Sequence, residues 1–304
     1  MNLEKAYNEL KKILSRDQLL LNESMKRHTS FRIGGPADLM IIPSDIEQIK
    51  KSYEILKNKG VPILIMGNGS NLLVRDKGIR GAVIKISNRF NKAEVQDQSI
   101  HAQSGILLSA LSKLALSSGL TGLEFACGIP GTLGGAVTMN AGAYGGEIKD
   151  VLKWVSVLDE NGNVVIMNKD QIGLGYRTSI FQTTKKIVLE VYLELEKGDY
   201  ETSRALMHNL TKQRQEKQPL SYPSAGSAFK RPVGYYAGKL IQDAGLKGLR
   251  IGDAQVSEKH SGFIINLGNA TASQVIELIE LIKARVKEEF GIELHPEVKI
   301  VGEE

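Results

Sequence analysis

The sequence predicts a protein of mixed α and β structure with two domains, and three observations carry this prediction. Apolar residues recur at helical spacing in some segments, such as 271–290, and alternate as in a half-buried strand in others, such as 186–196. Two glycine-rich passages, 67–71 and 126–146, interrupt these segments. With 304 residues and 42% hydrophobic composition, the chain is long enough for two or three domains with cores of their own.

The N-terminal part of the chain is predicted to alternate helices and strands. Leucine and isoleucine at helical spacing over residues 2–20 predict an amphipathic helix, and ADLMIIP at 37–43 predicts a strand. The sequence SDIE at 44–47 is a capping box that begins a second helix, which Gly60 ends. The segment VPILIMGNGSNLLV at 61–74 predicts a strand, a glycine-rich turn and another strand.

The middle of the chain is predicted to be mainly β-structure. The segments GAVIKI at 81–86 and VQDQSIHAQSG at 95–105 have β character, and a helix follows over about 106–118. The segment VLKWVSVLDENGNVVIM predicts a hairpin with Asn-Gly at its turn. The alternating segment 186–196 then predicts the strand that closes the first domain.

A domain boundary is predicted near residue 200, where the polar stretch KGDYETS leads into a helix that reaches about Lys217. The predicted domains are therefore 1–200, which includes the N-terminal helix, and 201–304. In the second domain, a TASQ capping box begins a long helix over 271–290, which Gly291 ends. A closing strand follows at about 297–301.

Composition limits the class of protein. The longest apolar runs, such as LMII at 39–42, are far shorter than the roughly 20 residues of a membrane span, and MNLEKAYNELKK lacks the apolar segment of a signal peptide, so we expect a cytoplasmic protein. The single cysteine, Cys127, cannot form an internal disulfide, and five scattered histidines predict no metal cluster. A net charge of +5 favours anionic ligands, and small phosphorylated ligands fit better than DNA.

The two glycine-rich passages are candidate cofactor-binding loops. The segment GNGSN follows an apolar strand, where glycines let successive backbone N–H groups converge on a phosphate, although a plain tight turn has the same composition. It is not a dinucleotide fingerprint, because Leu72 stands where the third glycine belongs, and no GK[ST] follows as in a P-loop.

The second passage, ACGIPGTLGGAVTMNAGAYGG, allows close backbone approach to a planar ligand, and Asn140 can hydrogen-bond the polar edges of that ligand. Two such loops in one domain favour a dinucleotide cofactor. The alternative is tight packing of a helix on a strand. Cys127 lies among small residues and is interpreted as a packed thiol.

Six motifs occur in order along nearly the whole chain: TSFRIGGPAD at 29–38, GNGSNLLV at 67–74, GIPGTLGGAVTMNAGAYG at 128–145, GYRTSIF at 175–181, AGSAFKRP at 225–232 and HPEVKIVG at 295–302. Together they resemble the UDP-N-acetylenolpyruvoylglucosamine reductase family. That resemblance implies reduction of the enolpyruvyl ether of UDP-N-acetylglucosamine to UDP-N-acetylmuramate in peptidoglycan synthesis, with FAD as cofactor and NADPH as co-substrate. It also implies a small-molecule substrate and no nucleic-acid or membrane partner.

The resemblance implies a fold as well. The first domain should have the FAD-binding fold of the vanillyl-alcohol-oxidase (PCMH) type, made of two α+β subdomains, and the C-terminal α+β domain should bind substrate. Neither glycine-rich loop contains histidine, so FAD is expected to bind without a covalent bond. The short run between Arg177 and Lys217 identifies the subtype that lacks the family's extra tyrosine-bearing loop.

The resemblance also implies site residues. The implied FAD contacts are Arg32, Gly67, Asn68, Gly69, Ser70, Asn71, Gly128, Ile129, Pro130, Gly131, Gly134, Gly135, Asn140, Gly142 and Ala143. The implied catalytic residues are Ser227, which donates a proton, Arg177 and Glu297. The implied substrate contacts are Lys217, Tyr222, Lys230, Arg231 and His260, whose cations suit the UDP diphosphate.

Two other functions fit parts of the sequence. An FAD-linked oxidase of the same fold would use the same loops and consume oxygen with an alcohol, without an acid serine. A nucleotide-binding regulator without catalytic activity would need only the glycine-rich loops. Absorbance of bound flavin separates an enzyme from such a regulator.

Overall fold

Eight α-helices and eighteen β-strands follow one another along residues 2–304, the part of the chain that the computed structural model describes. The helices are α1 (Asn2–Leu10), α2 (Ile46–Asn58), α3 (Leu108–Ser117), α4 (Leu133–Met139), α5 (Ile148–Val151), α6 (Tyr200–Lys217), α7 (Ala237–Asp243) and α8 (Ala272–Phe290). The strands are β1 (Leu19–Ser24), β2 (Pro36–Ile41), β3 (Ile63–Met66), β4 (Leu72–Val74), β5 (Ile79–Lys85), β6 (Ala93–Gln96), β7 (Ser99–Gln103), β8 (Leu120–Thr121), β9 (Gly142–Ala143), β10 (Gly146–Glu147), β11 (Leu152–Leu158), β12 (Val164–Asn168), β13 (Ile187–Glu194), β14 (Glu196–Lys197), β15 (Arg250–Ile251), β16 (Ala254–Val256), β17 (Ile264–Asn266) and β18 (Lys299–Val301). Short 3₁₀-helical turns lie at Arg16–Gln18, Met25–Arg27, Glu124–Ala126, Lys169–Gln171 and Ile180–Gln182.

The chain divides into two units, each made of several segments. Unit 1 consists of residues 2–20, Leu39–Asn68 and Gly81–Arg214, and unit 2 consists of Leu21–Asp38, Gly69–Arg80 and Gln215–Glu304. The sequence predicted one domain boundary, near residue 200. In the structure, two earlier segments, Leu21–Asp38 and Gly69–Arg80, also belong to the unit that contains the C-terminal residues. The reason is pairing between distant parts of the chain: β4 runs parallel to β18, with Leu72 beside Lys299, and Asn266 Nδ2 donates to Phe31 O at 3.1 Å.

The N-terminal helix is shorter than predicted. It ends at Leu10 instead of continuing to residue 20, because Ser15 begins a 3₁₀-helical turn and β1 follows at once. Leu14 and Leu19 still pack into the same core as α1, so the helical spacing of apolar residues continued past the end of the helix. In α2 the N-cap is Asp45, whose Oδ1 accepts from Gln48 N at 2.7 Å, and Gly60 follows the helix at φ +65°.

The first core of unit 1 lies between α1, α2 and nearby strands. The four-stranded sheet has the order β1-β2-β5-β3, and β3 and β5 are parallel, with Ile63 beside Ala82. Buried residues of this core include Leu10, Ile49 and Ile84, each fully inaccessible to solvent. The predicted strands at 37–43 and 81–86 are confirmed as β2 and β5.

The second core of unit 1 is covered by a five-stranded sheet of order β12-β11-β13-β7-β6, in which every neighbouring pair is antiparallel. The predicted hairpin is confirmed: Trp154 pairs with Asn168, and Asp159 Oδ1 accepts from Asn161 N and Asn163 N at the turn. The helices α3 and α4 contribute Leu108 and Leu133 to this core.

Unit 2 has its own core, which is formed by α7, α8 and the sheet β15-β16-β17. The TASQ prediction is confirmed: Thr271 caps α8, its Oγ1 accepts from Gln274 N, and Gly291 ends the helix at φ +69°. Asp76, far away in sequence, adds a second cap, because its carboxylate accepts from Ala272 N at 2.7 Å and Ser273 N at 2.9 Å.

Candidate functional site

The first glycine-rich loop, residues 67–71, connects β3 to β4 and begins in contact with the second glycine-rich passage. Asn68 Nδ2 donates to Pro130 O at 2.8 Å, and a Cβ atom added to Gly67 would lie 2.1 Å from Thr132 Oγ1. Glycine is therefore required at position 67 for this close approach. Among the hydrogen bonds of residues 2–304, none is donated by the backbone N–H groups of Asn68, Gly69 or Ser70. Such N–H groups are available to an anion.

The second glycine-rich passage contains a helix that the sequence analysis missed. Helix α4 occupies residues 133–139, and its buried side chains Leu133, Ala136 and Val137 pack into the core of unit 1. A Cβ atom on Gly134 would lie 2.9 Å from Ser104 Cβ. Gly134 therefore allows helix α4 to pack tightly against Ser104 at the end of β7, which agrees with the alternative explanation of this glycine-rich passage. Ser104 Oγ, beside this glycine, is buried without a hydrogen-bond partner among the described residues.

Asn140 is a structural residue at the end of α4. It adopts φ +42° in the left-handed region, and its side chain is fully buried. Its Nδ2 donates to Glu147 Oε2 at 2.9 Å and Gly175 O at 3.0 Å, and its Oδ1 accepts from Lys149 N at 2.9 Å. The Asn140 side chain is thus occupied by contacts within the chain and holds the loop that begins at Gly175. Its hydrogen bond to the cofactor stays a prediction.

Arg177 lies in that loop, half-buried and at φ +53°. Its Nη2 donates to Gly142 O at 3.0 Å, and its guanidinium lies 5.1 Å from the ring centre of Tyr176. Gln182 Nε2 donates to Arg177 O at 2.9 Å, and Ser179 Oγ donates to Thr138 O at 2.7 Å. Arg177 is thus fixed against the second glycine-rich passage by side-chain hydrogen bonds.

Left-handed backbone conformations concentrate in the motif segments. Non-glycine residues with positive φ in the described chain are Asn22, Arg32, Asp97, Asn140, Tyr144 and Arg177. Four of the six belong to FRIGG, to the second glycine-rich passage or to GYRTS. Such conformations carry a cost for residues with side chains and are enriched at functional sites.

Ser227 and Glu297 are brought together by backbone pairing inside unit 2. Glu297 N donates to Ala228 O at 2.9 Å, and isolated bridges join Ser227 to Phe263 and Phe229 to Pro296. Both residues are half-buried, and Ser227 Oγ donates to Phe229 O at 3.0 Å. Arg177 belongs to unit 1, and Ser227 and Glu297 belong to unit 2.

Gly226 is required for its backbone conformation and not because space around it is limited. A Cβ atom at this position would meet nothing within 4 Å, so space does not require glycine. The φ of +80° does, because residues with side chains rarely adopt it. Ala228, on the other side of the serine, is buried at 6% exposure.

The first glycine-rich loop also contacts the Glu297 segment within unit 2. Asn71 Nδ2 donates to Glu297 O at 3.2 Å, and Asn71 O accepts from Lys299 N at 2.9 Å. Ser70 is half-buried, and Arg32 is exposed.

The predicted substrate contacts all lie in unit 2. Lys217, Tyr222 and Arg231 are exposed, and the Arg231 guanidinium stacks 4.1 Å from the ring centre of Tyr236. Lys230 N donates to His295 O. Burial lowers the pKa of His260, whose Nδ1 accepts from Gly262 N at 3.1 Å, and its ring contacts that of Phe263 edge-on.

Sequence reasoning missed two polar residues beside the second passage. Ser104 follows β7, and Arg214 lies in α6 with its Cδ 2.9 Å from the Cβ that Gly128 lacks. Neither belongs to a recognisable motif. Only packing of distant segments brings them to the glycines, so no local signal in the sequence could have identified them.

Among residues 2–304, no three His, Cys, Asp or Glu side chains are grouped so as to hold a metal ion, and no helix has the length and apolar character of a membrane span. Cys127 Sγ lies 3.8 Å from Met207 O and 3.7 Å from Thr211 Oγ1, against α6.

Two family models match the chain. Residues 37–168 match a model described as an FAD binding domain, and residues 218–301 match the C-terminal domain of UDP-N-acetylenolpyruvoylglucosamine reductase.

Curated proteins and a solved structure are similar over nearly the whole chain. A UDP-N-acetylenolpyruvoylglucosamine reductase from Alkaliphilus oremlandii is 57% identical over 304 residues, which is 100% of both chains. One from Caldanaerobacter subterraneus subsp. tengcongensis is 56% identical over 296 residues, covering 97% of this chain and 98% of the relative. The crystal structure of the Thermus caldophilus enzyme is 37% identical, covers 93% of this chain and 97% of its own, and superposes with a TM-score of 0.79.

Proposed function

The chain belongs to the UDP-N-acetylenolpyruvoylglucosamine reductase family, and we propose that Ser227, Arg177 and Glu297 carry out its reaction. It has an FAD-binding domain of the vanillyl-alcohol-oxidase (PCMH) type and a C-terminal α+β domain. Its activity is the NADPH-dependent reduction of UDP-N-acetylglucosamine enolpyruvate to UDP-N-acetylmuramate in peptidoglycan synthesis, with FAD as cofactor. Family membership favours this function over the oxidase and the regulator.

The glycine-rich loops fit FAD. The N–H groups of Asn68, Gly69 and Ser70 donate to no atom of the described chain and suit the diphosphate, with Gly67 and Asn71 beside them. Glycine at positions 67 and 134 lets the backbone of the two passages lie close to Thr132 and Ser104. The proposed contacts along the flavin are Gly128, Ile129, Pro130, Gly131, Gly134, Gly135, Gly142 and Ala143. Arg32 is proposed as a further FAD contact. Bound FAD supplies the hydride. FAD binds without a covalent bond to the protein, because neither loop contains a histidine.

Ser227 is proposed to supply the proton. Saturating an enol ether requires hydride at one alkene carbon and a proton at the other. Ser227 Oγ donates a hydrogen bond to Phe229 O at 3.0 Å, and rotation about its Cβ–Oγ bond can direct the same hydrogen to another acceptor. A serine hydroxyl is a weak acid, so neighbouring groups must stabilise the charge that develops on the substrate.

Arg177 and Glu297 are proposed to provide that stabilisation. A guanidinium is permanently charged and forms two parallel hydrogen bonds with a carboxylate, so Arg177 suits the carboxylate of the enolpyruvyl group. Glu297 can orient or relay the proton of Ser227, because its N–H bonds Ala228 O and so places it beside the serine segment. This backbone pairing is the observation that carries the assignment of Ser227 and Glu297 as a pair.

The UDP part of the substrate is proposed to bind Lys217, Tyr222, Lys230, Arg231 and His260. The cations suit a diphosphate, and burial lowers the pKa of His260, which favours a neutral ring that can hydrogen-bond a sugar hydroxyl. We also propose that the enzyme acts in the cytoplasm, without a nucleic-acid or membrane partner, and belongs to the subtype without the extra tyrosine loop.

Ser227→Ala tests the proposal when the two half-reactions are followed separately by flavin absorbance. NADPH should reduce the flavin of the variant at the parent rate, whereas reoxidation by the enolpyruvyl substrate should slow by roughly 10²- to 10⁴-fold. Ser221→Ala, an exposed serine in the same segment, is the matched control and should leave both rates unchanged. Equal reoxidation rates in Ser227→Ala and the parent would remove Ser227 from the role of acid.

A further inference from the structure

Asn266 is a buried polar residue that joins three segments of unit 2. It is the last residue of β17 and is 1% exposed. Its Oδ1 accepts from Gly268 N at 2.8 Å and Ala270 N at 3.0 Å, which ties down the segment that leads into α8. Its Nδ2 donates to Phe31 O at 3.1 Å, and its backbone N donates to Pro223 O at 2.9 Å. The segment before α8 uses only the acceptor of the amide, so an aspartate would serve it equally well, and the donor has another role.

The donor fixes one peptide plane, the one between Phe31 and Arg32. The carbonyl oxygen of this plane accepts from Asn266 Nδ2, and its N–H, which belongs to Arg32, donates to Thr29 O at 3.1 Å. Both hydrogen bonds hold the same rigid group of atoms, because a peptide bond is planar. The side chains on either side of Arg32, those of Phe31 and Ile33, are buried in the core of unit 2 and anchor the segment there.

Arg32 adopts a left-handed backbone conformation beside that plane. Its φ of +54° is a rotation about the bond from its N to its Cα, so it is measured from the peptide plane that Asn266 holds. Such a conformation costs free energy for a residue with a side chain and persists where surrounding contacts impose it. The Arg32 side chain is exposed, so its burial does not offset this cost. The imposed conformation serves instead to direct the guanidinium.

The Arg32 segment lies beside the first glycine-rich loop, and the Ser227 segment pairs with the same stretch of chain that carries Asn266. Ser30 N donates to Gly69 O at 3.2 Å. An isolated bridge joins Ser227 to Phe263, three residues before Asn266. Residues 263–266 therefore hold the proposed proton donor through their backbone and the Arg32 segment through one side chain.

We propose that Asn266 is a positioning residue for cofactor binding: by fixing the peptide before Arg32, it holds the Arg32 guanidinium in the orientation that contacts FAD. A guanidinium forms its strong paired hydrogen bonds with phosphate oxygens only in a defined geometry, so its orientation affects affinity. This inference rests on the proposed function, in which Arg32 is a contact of FAD. A motif identifies Arg32, whereas Asn266 lies 235 positions from Phe31 in the sequence.

A double-mutant cycle tests the inference, with Asn266→Asp, Arg32→Ala and the variant that carries both changes. The Kd of FAD is measured by titrating FAD into the FAD-free protein at pH 8, where the introduced carboxyl group is ionised. Asn266→Asp keeps an acceptor for Gly268 N and Ala270 N and removes the donor to Phe31 O. Each single variant should raise the Kd about tenfold, which is the effect of losing one hydrogen bond to a charged group. The double variant should also show a rise of about tenfold and not about a hundredfold, because both changes remove the same contact.

Two further variants separate positioning from stability. Thr271→Ala removes the side-chain cap of α8, close to Asn266, and should lower the urea midpoint while leaving the Kd of FAD unchanged. Asn266→Ser shortens the side chain without adding a charge and should raise the Kd as Asn266→Asp does. It takes the place of Asn266→Asp in the cycle if that variant does not fold.

Three results would overturn the inference. An unchanged Kd in both variants of Asn266, with stability lost as in Thr271→Ala, would make Asn266 a structural residue only. A rise of about a hundredfold in the double variant would show that Asn266 affects FAD without acting through Arg32. An unchanged Kd in Arg32→Ala would remove the proposed Arg32 contact and this inference with it.

None of these measurements uses the enolpyruvyl substrate, so they succeed or fail independently of the proton-donor role of Ser227. A parent protein that binds no FAD would contradict the proposed function itself.

Discussion

The Arg177 loop and the Ser227 segment hold their functional side chains in different ways. Arg177 adopts a left-handed backbone conformation and lies in a loop tied down by side chains: Asn140 bonds Gly175 O, Gln182 bonds Arg177 O, and Ser179 bonds Thr138 O. The Ser227 segment is tied down by its backbone, through bridges to Phe263 and Pro296 and the bond from Glu297 N to Ala228 O.

This difference determines which neighbours can change without loss of function. Backbone pairing depends little on which side chains are present, so residues around Ser227 can vary as long as the backbone conformation is kept. A loop held by side-chain amides and hydroxyls fails when one of them is removed, because each leaves buried polar groups unpaired. We therefore expect the Arg177 loop to be the more sensitive of the two to substitution of supporting residues.

Asn140→Ala should have the largest effect. It leaves Gly175 O, Lys149 N and Glu147 without their buried partner, and each unpaired group costs about 1–3 kcal/mol, so a loss of about 3 kcal/mol in the free energy of unfolding is expected. Because Gly175 is two residues from Arg177, kcat should fall as well. Urea unfolding and steady-state kinetics measure the two effects.

Asn22→Ala is the control for Asn140→Ala. Asn22 is exposed and also has positive φ, +51°, so its substitution reports the backbone cost alone, which should be at most about 1 kcal/mol. Equal losses of stability at the two positions would mean that the hydrogen bonds of Asn140 contribute little and that the comparison between the two regions is wrong.

The same contrast explains which parts of the molecule the sequence could predict. Local patterns were sufficient where structure depends on neighbours in sequence, as in the α8 helix with its Thr271 cap and the hairpin that ends at Asn168. The α1 helix was extended too far because Leu14 and Leu19 continue its apolar spacing after the helix has ended and still reach the same core. The spacing of apolar residues indicates which residues are buried, and here buried residues continue beyond the end of the helix.

Tertiary contacts decided the features that local patterns could not show. Helix α4 forms in spite of Gly134 and Gly135 because Leu133, Ala136 and Val137 are buried in the core. The motifs identified the candidate site residues, but they did not show which residues those side chains contact. Neither the bonding of Asn140 nor the hydrogen bond from Asn266 to Phe31 O follows from neighbouring residues.

Gly226→Ala should have an intermediate effect and tests the backbone side of the comparison. Its φ of +80° is unfavourable for alanine by about 1–2 kcal/mol, although nothing lies within 4 Å of the added Cβ. The strain should displace Ser227 and lower kcat while NADPH still reduces the flavin at the parent rate.

Gly119→Ala is the matched control, because Gly119 has φ +67°, equally open surroundings and a position just after α3. It should cost similar stability and leave kcat unchanged. If kcat of Gly226→Ala equals that of Gly119→Ala, the backbone conformation before Ser227 does not position the hydroxyl.

Asp76→Asn should have the smallest effect. It tests whether the stability of unit 2 depends on the charge of the Asp76 carboxylate, which caps α8. Burial alone would raise the pKa of Asp76, but hydrogen bonds from Ser273 Oγ and from the N–H groups of Ala272 and Ser273 hold the pKa below its ordinary value of 3.8. A depressed folded-state pKa contributes stability that is present above the unfolded-state value and is lost as pH falls through the folded-state value.

At pH 7 and pH 5, Asp76→Asn should therefore unfold with about 1 kcal/mol less free energy than the parent, since an amide cannot accept hydrogen bonds at both positions. The difference should shrink as pH falls below 3.8, because Asp76 of the unfolded parent is protonated there and Asp76 of the folded parent only at still lower pH. Asp45→Asn, at the cap of α2 in unit 1, is the control: asparagine caps as well as aspartate, so its effect should stay within a few tenths of a kcal/mol. A difference for Asp76→Asn that does not change between pH 5 and pH 3 would show that the lost hydrogen bond, and not the charge, stabilises α8.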